Sequence, residues 1–227
     1  MRFRRAAALL LSLCLALPSG CAVTPRGEEP AFRVVTSFYP MYVMALNVTD
    51  GVPGVEVDNM AGQQTGCLHD YQLQTKDMKN LETADVFVVN GAGMESFLDK
   101  VVEQLPALTV VDTSVGITLL ESGTGEEHVH EEGDDHDHGD LNPHIWVSIS
   151  DCILQVENLC EGLAEADPAN AALYEENTRA YVEKLEALRG EMHEAIDPLP
   201  NRNIVTFHEA FPYFAEEFDL HIVKVVN

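Results

Sequence analysis

Residues 81–95 read Leu81-Glu82-Thr83-Ala84-Asp85-Val86-Phe87-Val88-Val89-Asn90-Gly91-Ala92-Gly93-Met94-Glu95. Four consecutive apolar residues, Val86 to Val89, stop at Asn90-Gly91, which is the pattern of a strand buried on both faces that ends in a turn. Working outward, residues 32–38 (FRVVTSF), Val55-Glu56-Val57 and Thr109 to Val111 read as further strands. Helices are expected between them, over Met41 to Val48, Lys76 to Thr83 and Glu95 to Gln104. Strands alternating with helices predict a parallel α/β sheet, whose ligand side is the loops at the carboxyl ends of the strands.

Residues 121–140 (ESGTGEEHVHEEGDDHDHGD) break this pattern, with nine acidic residues and four of the chain's nine histidines. Such a stretch cannot bury a core. Two helices are expected beyond it. In the first, Ile149, Cys152, Ile153, Val156, Leu159, Cys160 and Leu163 recur at helical spacing. In the second, Ala171 to Ile196, the apolar stripe is Tyr174, Tyr181, Leu185, Leu188, Met192 and Ile196. At 1.5 Å per residue the second helix is about 40 Å long, enough to join two lobes. Pro198 and Pro200 end it. A strand from Ile204 to Phe207, a helix from Glu209 to Phe218 and a strand from His221 to Val226 complete the chain. This last strand–helix–strand stretch is too short to close its own core.

The chain has 227 residues and a formal net charge of −25, with 46% hydrophobic residues. That composition supports a folded core, excludes the basic clusters that nucleic acid needs, and favours metal cations or a positively charged partner. Arg2, Arg4 and Arg5 precede an apolar run, Ala6 to Leu17, and then Pro18-Ser19-Gly20-Cys21. This is an export signal, too short for a mature membrane span. Small residues before Cys21 resemble a lipoprotein cleavage site, with Cys21 as the lipidated residue. Leu17 stands one place further from Cys21 than is usual, so ordinary signal cleavage is the alternative. Of the remaining cysteines, Cys152 and Cys160 fit a helix's apolar face as buried thiols, and Cys67 lies two residues before His69.

Three histidines fall where an α/β fold presents ligands. His69 follows the second strand, His144 lies between the acidic stretch and a helix, and His208 closes a strand. Separations of 75 and 64 residues exclude a local zinc finger but allow a site assembled between lobes from neutral imidazoles.

Residues 31–227 resemble the substrate-binding lipoproteins of zinc and manganese ABC importers. The resemblance rests on Leu68-His69-Asp70-Tyr71, the 81–95 ladder, the Asp/His-rich insert, Pro143-His144-Ile145-Trp146, the long helix, and His208-Glu209-Ala210-Phe211-Pro212-Tyr213-Phe214. Their order and spacing carry it, since no single one is specific. It implies two parallel-sheet α/β lobes linked by one long rigid helix, with the metal in the cleft between them. It further implies His69 and His144 from the first lobe, His208 from the second, and a fourth acidic ligand or water nearer the C-terminus. The chain reaches only Asn227, so the second lobe is expected to be incomplete. The resulting division is a signal peptide (1–20), a tether (21–31), a first lobe (32–147), the helices (148–197) and the start of a second lobe (198–227).

The implied role is a non-enzymatic, monomeric receptor on the outer face of the bacterial membrane, or in the periplasm, which hands Zn2+ to an ABC permease and its ATPase. Imidazole ligands favour Zn2+ over Mn2+, which prefers oxygen; a manganese-type receptor and a zinc-scavenging or adhesion lipoprotein are the alternatives. His128, His130, His136 and His138 in the acidic stretch are accessory zinc ligands on one reading and part of a solvated linker on the other. A secreted zinc hydrolase is disfavoured, because an HExxH motif starting at His208 needs histidine where Pro212 stands.

Overall fold

The computed structural model describes residues 32–62, 68, 71–122 and 141–226. Four strands, β1 (Phe32–Thr36), β2 (Val55–Asn59), β3 (Val86–Val89) and β4 (Thr109–Asp112), form a parallel sheet in the order β2-β1-β3-β4. The ladder of residues 81–95 supplies the centre. All four residues of β3 are buried, whereas edge strand β2 alternates, with Glu56 and Asp58 exposed.

Helices α1 (Tyr39–Val48), α2 (Thr75–Leu81) and α3 (Leu98–Gln104) connect these strands. Right-handed crossovers send α1 to one face and α2 and α3 to the other, because the chain reverses its direction across the sheet after β2. On the α1 face pack α4 (Ile149–Ala166) and α5 (Ala171–Ile196), preceded by a single 3₁₀ turn, Ile145–Val147. The predicted stripe of α4 is the buried one: Ile153 is buried, and Val156, Leu159, Cys160 and Leu163 join the main core. Its first turn is capped by Ser148, whose side chain accepts from the Asp151 amide at 3.2 Å. Cys152 and Cys160 are free thiols, and burial pushes the Cys152 thiol up to about 12. Asn177 on α5 donates to the carbonyls of Val48 (3.0 Å) and Asp50 (2.8 Å), satisfying acceptors left over at the end of α1.

A second parallel pair, β5 (Asn203–Thr206) and β6 (His221–Val225), is joined by α6 (Pro212–Glu217). Three expected boundaries move. The helix expected from Glu95 begins at Leu98, because the Glu95 side chain is taken up by backbone amides of the preceding turn. The helix expected from Glu209 begins at Pro212, whose fixed φ and missing N–H suit a first helical position. The strand expected to reach His208 ends at Thr206, so His208 stands in the bend beyond it. The stripe of α5 is covered only in part: Tyr174 is buried and Tyr181 and Leu185 touch the core, but Leu188 is 46% exposed.

Helix α4 approaches β4 most closely at Gly162, where an added Cβ would lie 2.5 Å from a Val111 methyl. Gly162→Ala is therefore expected to destabilise the fold by about 1–3 kcal/mol despite alanine's better helix propensity. Urea denaturation of the two proteins checks this; equal or greater stability of the variant would show that Val111 can move aside.

Candidate metal centre

In the order β2-β1-β3-β4 the chain changes direction between β1 and β3, and their carboxyl ends open the crevice where such sheets place ligands. One side chain bridges that crevice. Glu95, only 5% exposed, accepts from Ser37 Oγ at 2.7 Å beyond β1, and from the amides of Asn90 (2.8 Å) and Gly91 (3.1 Å) beyond β3. Burial pushes its carboxyl up to about 7, against the pull of those three donors.

Asn90 passes this order outward. It is fully buried, and its amide donates to the carbonyls of Gly91 and Pro143, each at 2.9 Å, while its oxygen accepts from Gln155 Nε2 of α4 at 3.1 Å. Pro143 precedes His144, so the strand end and α4 together locate that histidine. Sequence reading took Asn90-Gly91 only as a turn. Its signal as a polar hub was available: an amide side chain directly after four buried apolar residues needs partners of its own.

His144 is 2% exposed. Its backbone amide donates to Asn142 Oδ1 at 3.0 Å, and its ring Nδ1 lies 2.8 Å from the same oxygen. The Asn142 Nδ2 donates to the Glu209 carbonyl at 2.7 Å, which an oxygen could not do, so the amide orientation is determined. Nδ1 of His144 must then carry the proton, and Nε2 is left with a lone pair. Trp146, the single tryptophan, lies beside it with ring centroids 5.3 Å apart, and itself stands edge-on to Phe38 at 5.0 Å.

That lone pair faces His208. The two Nε2 atoms are 3.2 Å apart across the gap between the large sheet's crevice and the β5–α6–β6 unit, with the rings perpendicular. Without a cation, this separation suits an N–H of His208 donating to His144. It also matches the edge of about 3.3 Å between two nitrogens of a tetrahedron with Zn–N bonds of about 2.0–2.1 Å. The donor set, two imidazoles with one tautomer held by an outer partner, fits zinc-type coordination.

The structure thus brings His144 and His208 together. His69 lies outside the described residues; beside it, Leu68 is buried in the core, and Tyr71 donates its hydroxyl to Asp77 at 2.8 Å. Cys21, Cys67, His128, His130, His136 and His138 also lie outside the described residues.

Residues 34–227 match the family model described as "ZnuA: Zinc-uptake complex component A periplasmic". The chain belongs to the ZnuA family. It is 30% identical over 219 residues to the zinc-binding lipoprotein AdcA of Streptococcus pneumoniae, covering 96% of this chain and 43% of that relative. It is 32% identical over 222 residues to the iron-binding protein YfeA of Yersinia pestis, covering 95% and 67%. Among solved structures, a zinc-bound deletion mutant of ZnuA superposes with a TM-score of 0.73 at 27% identity, over 86% of this chain and 69% of that one. The chain spans less than half the length of AdcA and about two thirds of YfeA.

Glu95 gives the fold a pH signature. Its folded pKa of about 7 exceeds the ordinary 4.5, so its contribution to stability is full below about pH 4.5 and is lost as pH rises to about 7. The size is on the order of 3 kcal/mol. Urea midpoints of the native chain are expected to fall across this window, and more steeply than those of Glu95→Gln. Equal slopes would show that Glu95 ionises as freely in the fold as outside it.

Proposed function

We propose that this chain is an extracytoplasmic receptor that captures Zn2+ with histidines and delivers it to the permease and ATPase of an ABC importer. The observation that carries the reading is the pair of Nε2 atoms 3.2 Å apart, one of them held as a lone pair by Asn142. His69 supplies the third imidazole. Membership of the ZnuA family supports the transport role, as do the zinc-binding AdcA and the zinc-bound ZnuA mutant. YfeA, described as iron-binding, shows that family membership alone does not select the metal. The donors separate zinc from manganese, since Mn2+ favours oxygen; imidazole nitrogen suits zinc, and also iron, nickel and copper.

Capture and release need no nucleophile and no general base, so the chain is a binding protein and not an enzyme. Export follows from the basic, apolar N-terminus, and Cys21 carries the lipid that holds the receptor at the membrane surface. No helix among the described residues is long and apolar enough to cross a bilayer. His128, His130, His136 and His138, set among nine acidic residues, serve as accessory zinc ligands that raise the local zinc concentration.

A competitive zinc titration of residues 22–227 lacking 121–139 tests this. One tight site is expected, and His69→Ala, His144→Ala and His208→Ala should each weaken it by at least about 100-fold, more than losing an outer partner costs. Because only neutral imidazole binds metal, affinity should fall as pH drops through about 6.5. Weak binding that survives all three substitutions, or affinity that is flat from about pH 8 to 5.5, overturns the assignment.

A further inference from the structure

His144 and His208 belong to different units of the fold, and a small apolar cluster lies where those units meet. Their shared cluster is Ile117, Ile145 and Tyr213, with Leu119 and Leu120 beside it. Beyond α6 the Phe218 ring meets His193 of α5 at 4.7 Å, and several of the hydrogen bonds across the joint gather on Asn142, a residue 1% exposed. Its Oδ1 accepts from both the amide and Nδ1 of His144, at 3.0 and 2.8 Å. Its Nδ2 donates at 2.7 Å to the carbonyl of Glu209, the residue after His208. Its own carbonyl accepts from Tyr213 Oη of α6 at 2.6 Å, and that oxygen accepts in turn from the Leu120 amide at 3.0 Å. Alongside, Glu217 of α6 accepts from the Ile149 amide at 2.6 Å and from Ser150 Oγ at 2.8 Å, at the start of α4.

We propose that Asn142 is the positioning residue that couples the two histidines: one end of its amide orients the His144 ring, and the other latches the backbone carrying His208. A planar amide suits both tasks, because it presents an acceptor and a donor in one rigid group. Aspartate retains the acceptor but sets a carboxylate oxygen against the Glu209 carbonyl. Alanine loses both. The two ligands are therefore not independent: metal held by both histidines stabilises the latch, and opening the latch moves His208 away and releases the metal. A receptor that must surrender its cargo gains from a joint made of few hydrogen bonds, since each breaks at small cost. The inference deepens the receptor reading and rests on it for its biological meaning.

The test uses the full chain as native protein, Asn142→Asp and Asn142→Ala. In the metal-free state, hydrogen exchange is followed at the amides of Leu120, Ile149 and Ser150, which donate to acceptors on α6. Ring nitrogen shifts report the His144 tautomer. For Asn142→Asp, exchange at these amides is expected to rise about fivefold, the factor that one lost hydrogen bond supplies, with sheet amides such as Val88 unchanged and the tautomer retained. Asn142→Ala should show the same acceleration and lose the fixed tautomer. Zinc should leave Asn142→Asp about tenfold faster, although a carboxylate behind the ring would by itself tighten the metal bond. Exchange at the three amides equal to that of the native protein overturns the latch, and so does acceleration spread evenly over the sheet. A native chain that binds no zinc sinks the receptor reading instead, while the metal-free exchange still decides the latch.

Discussion

The carboxyl group of Glu95 is the contact on which the cleft depends. Parallel strands bring two chain ends to one edge of the sheet, and each end presents amide and hydroxyl groups with no ladder partner. A buried group able to accept from several donors can satisfy both ends at once, and Glu95 does so for Ser37, Asn90 and Gly91. With the Asn90 backbone held in this way, its side chain faces Pro143 and Gln155, and the segment leading to His144 is placed from two sides. The site's first histidine is thus positioned by a chain of hydrogen bonds that starts deep in the apolar core.

The second histidine is held on different terms. His144 is buried against the core, whereas His208 is exposed in the bend after β5, on a unit joined to the rest by a small apolar cluster and a set of hydrogen bonds. A rigid half and a separately attached half suit the proposed capture and release of a metal ion. The rigid half keeps its ligand pre-oriented when empty, which lowers the ordering cost of capture. Helix α5 touches both parts: Tyr174 and Leu185 pack on the core, Arg189 donates to Ser150 Oγ at the start of α4, and the His193 ring meets Phe218 beyond α6.

How much was legible in the sequence varied with the physics. Val86 to Val89 announced a central strand because a short run of β-branched and aromatic residues, too short for a buried helix, ends at an Asn-Gly turn. The α4 stripe and the limits of α5 were readable because helical period and proline are local signals. Errors arose where a side chain answered to a distant partner. Glu95 has good helix propensity, yet it serves a turn and the end of another strand. No local pattern marks Asn142, and only its contact with Glu209, 67 residues away, reveals that it faces two ways.

The sequence by itself determined the fold class and the candidate imidazoles, because periodicity and residue chemistry are written along the chain. The resemblance carried by its motifs determined the family. Only the tertiary structure decided that His144 and His208 meet, which nitrogen of His144 holds the proton, and that one asparagine serves both. Those are statements about distances between residues far apart in sequence. No local pattern encodes them, because each depends on how the second unit docks against the edge of the sheet.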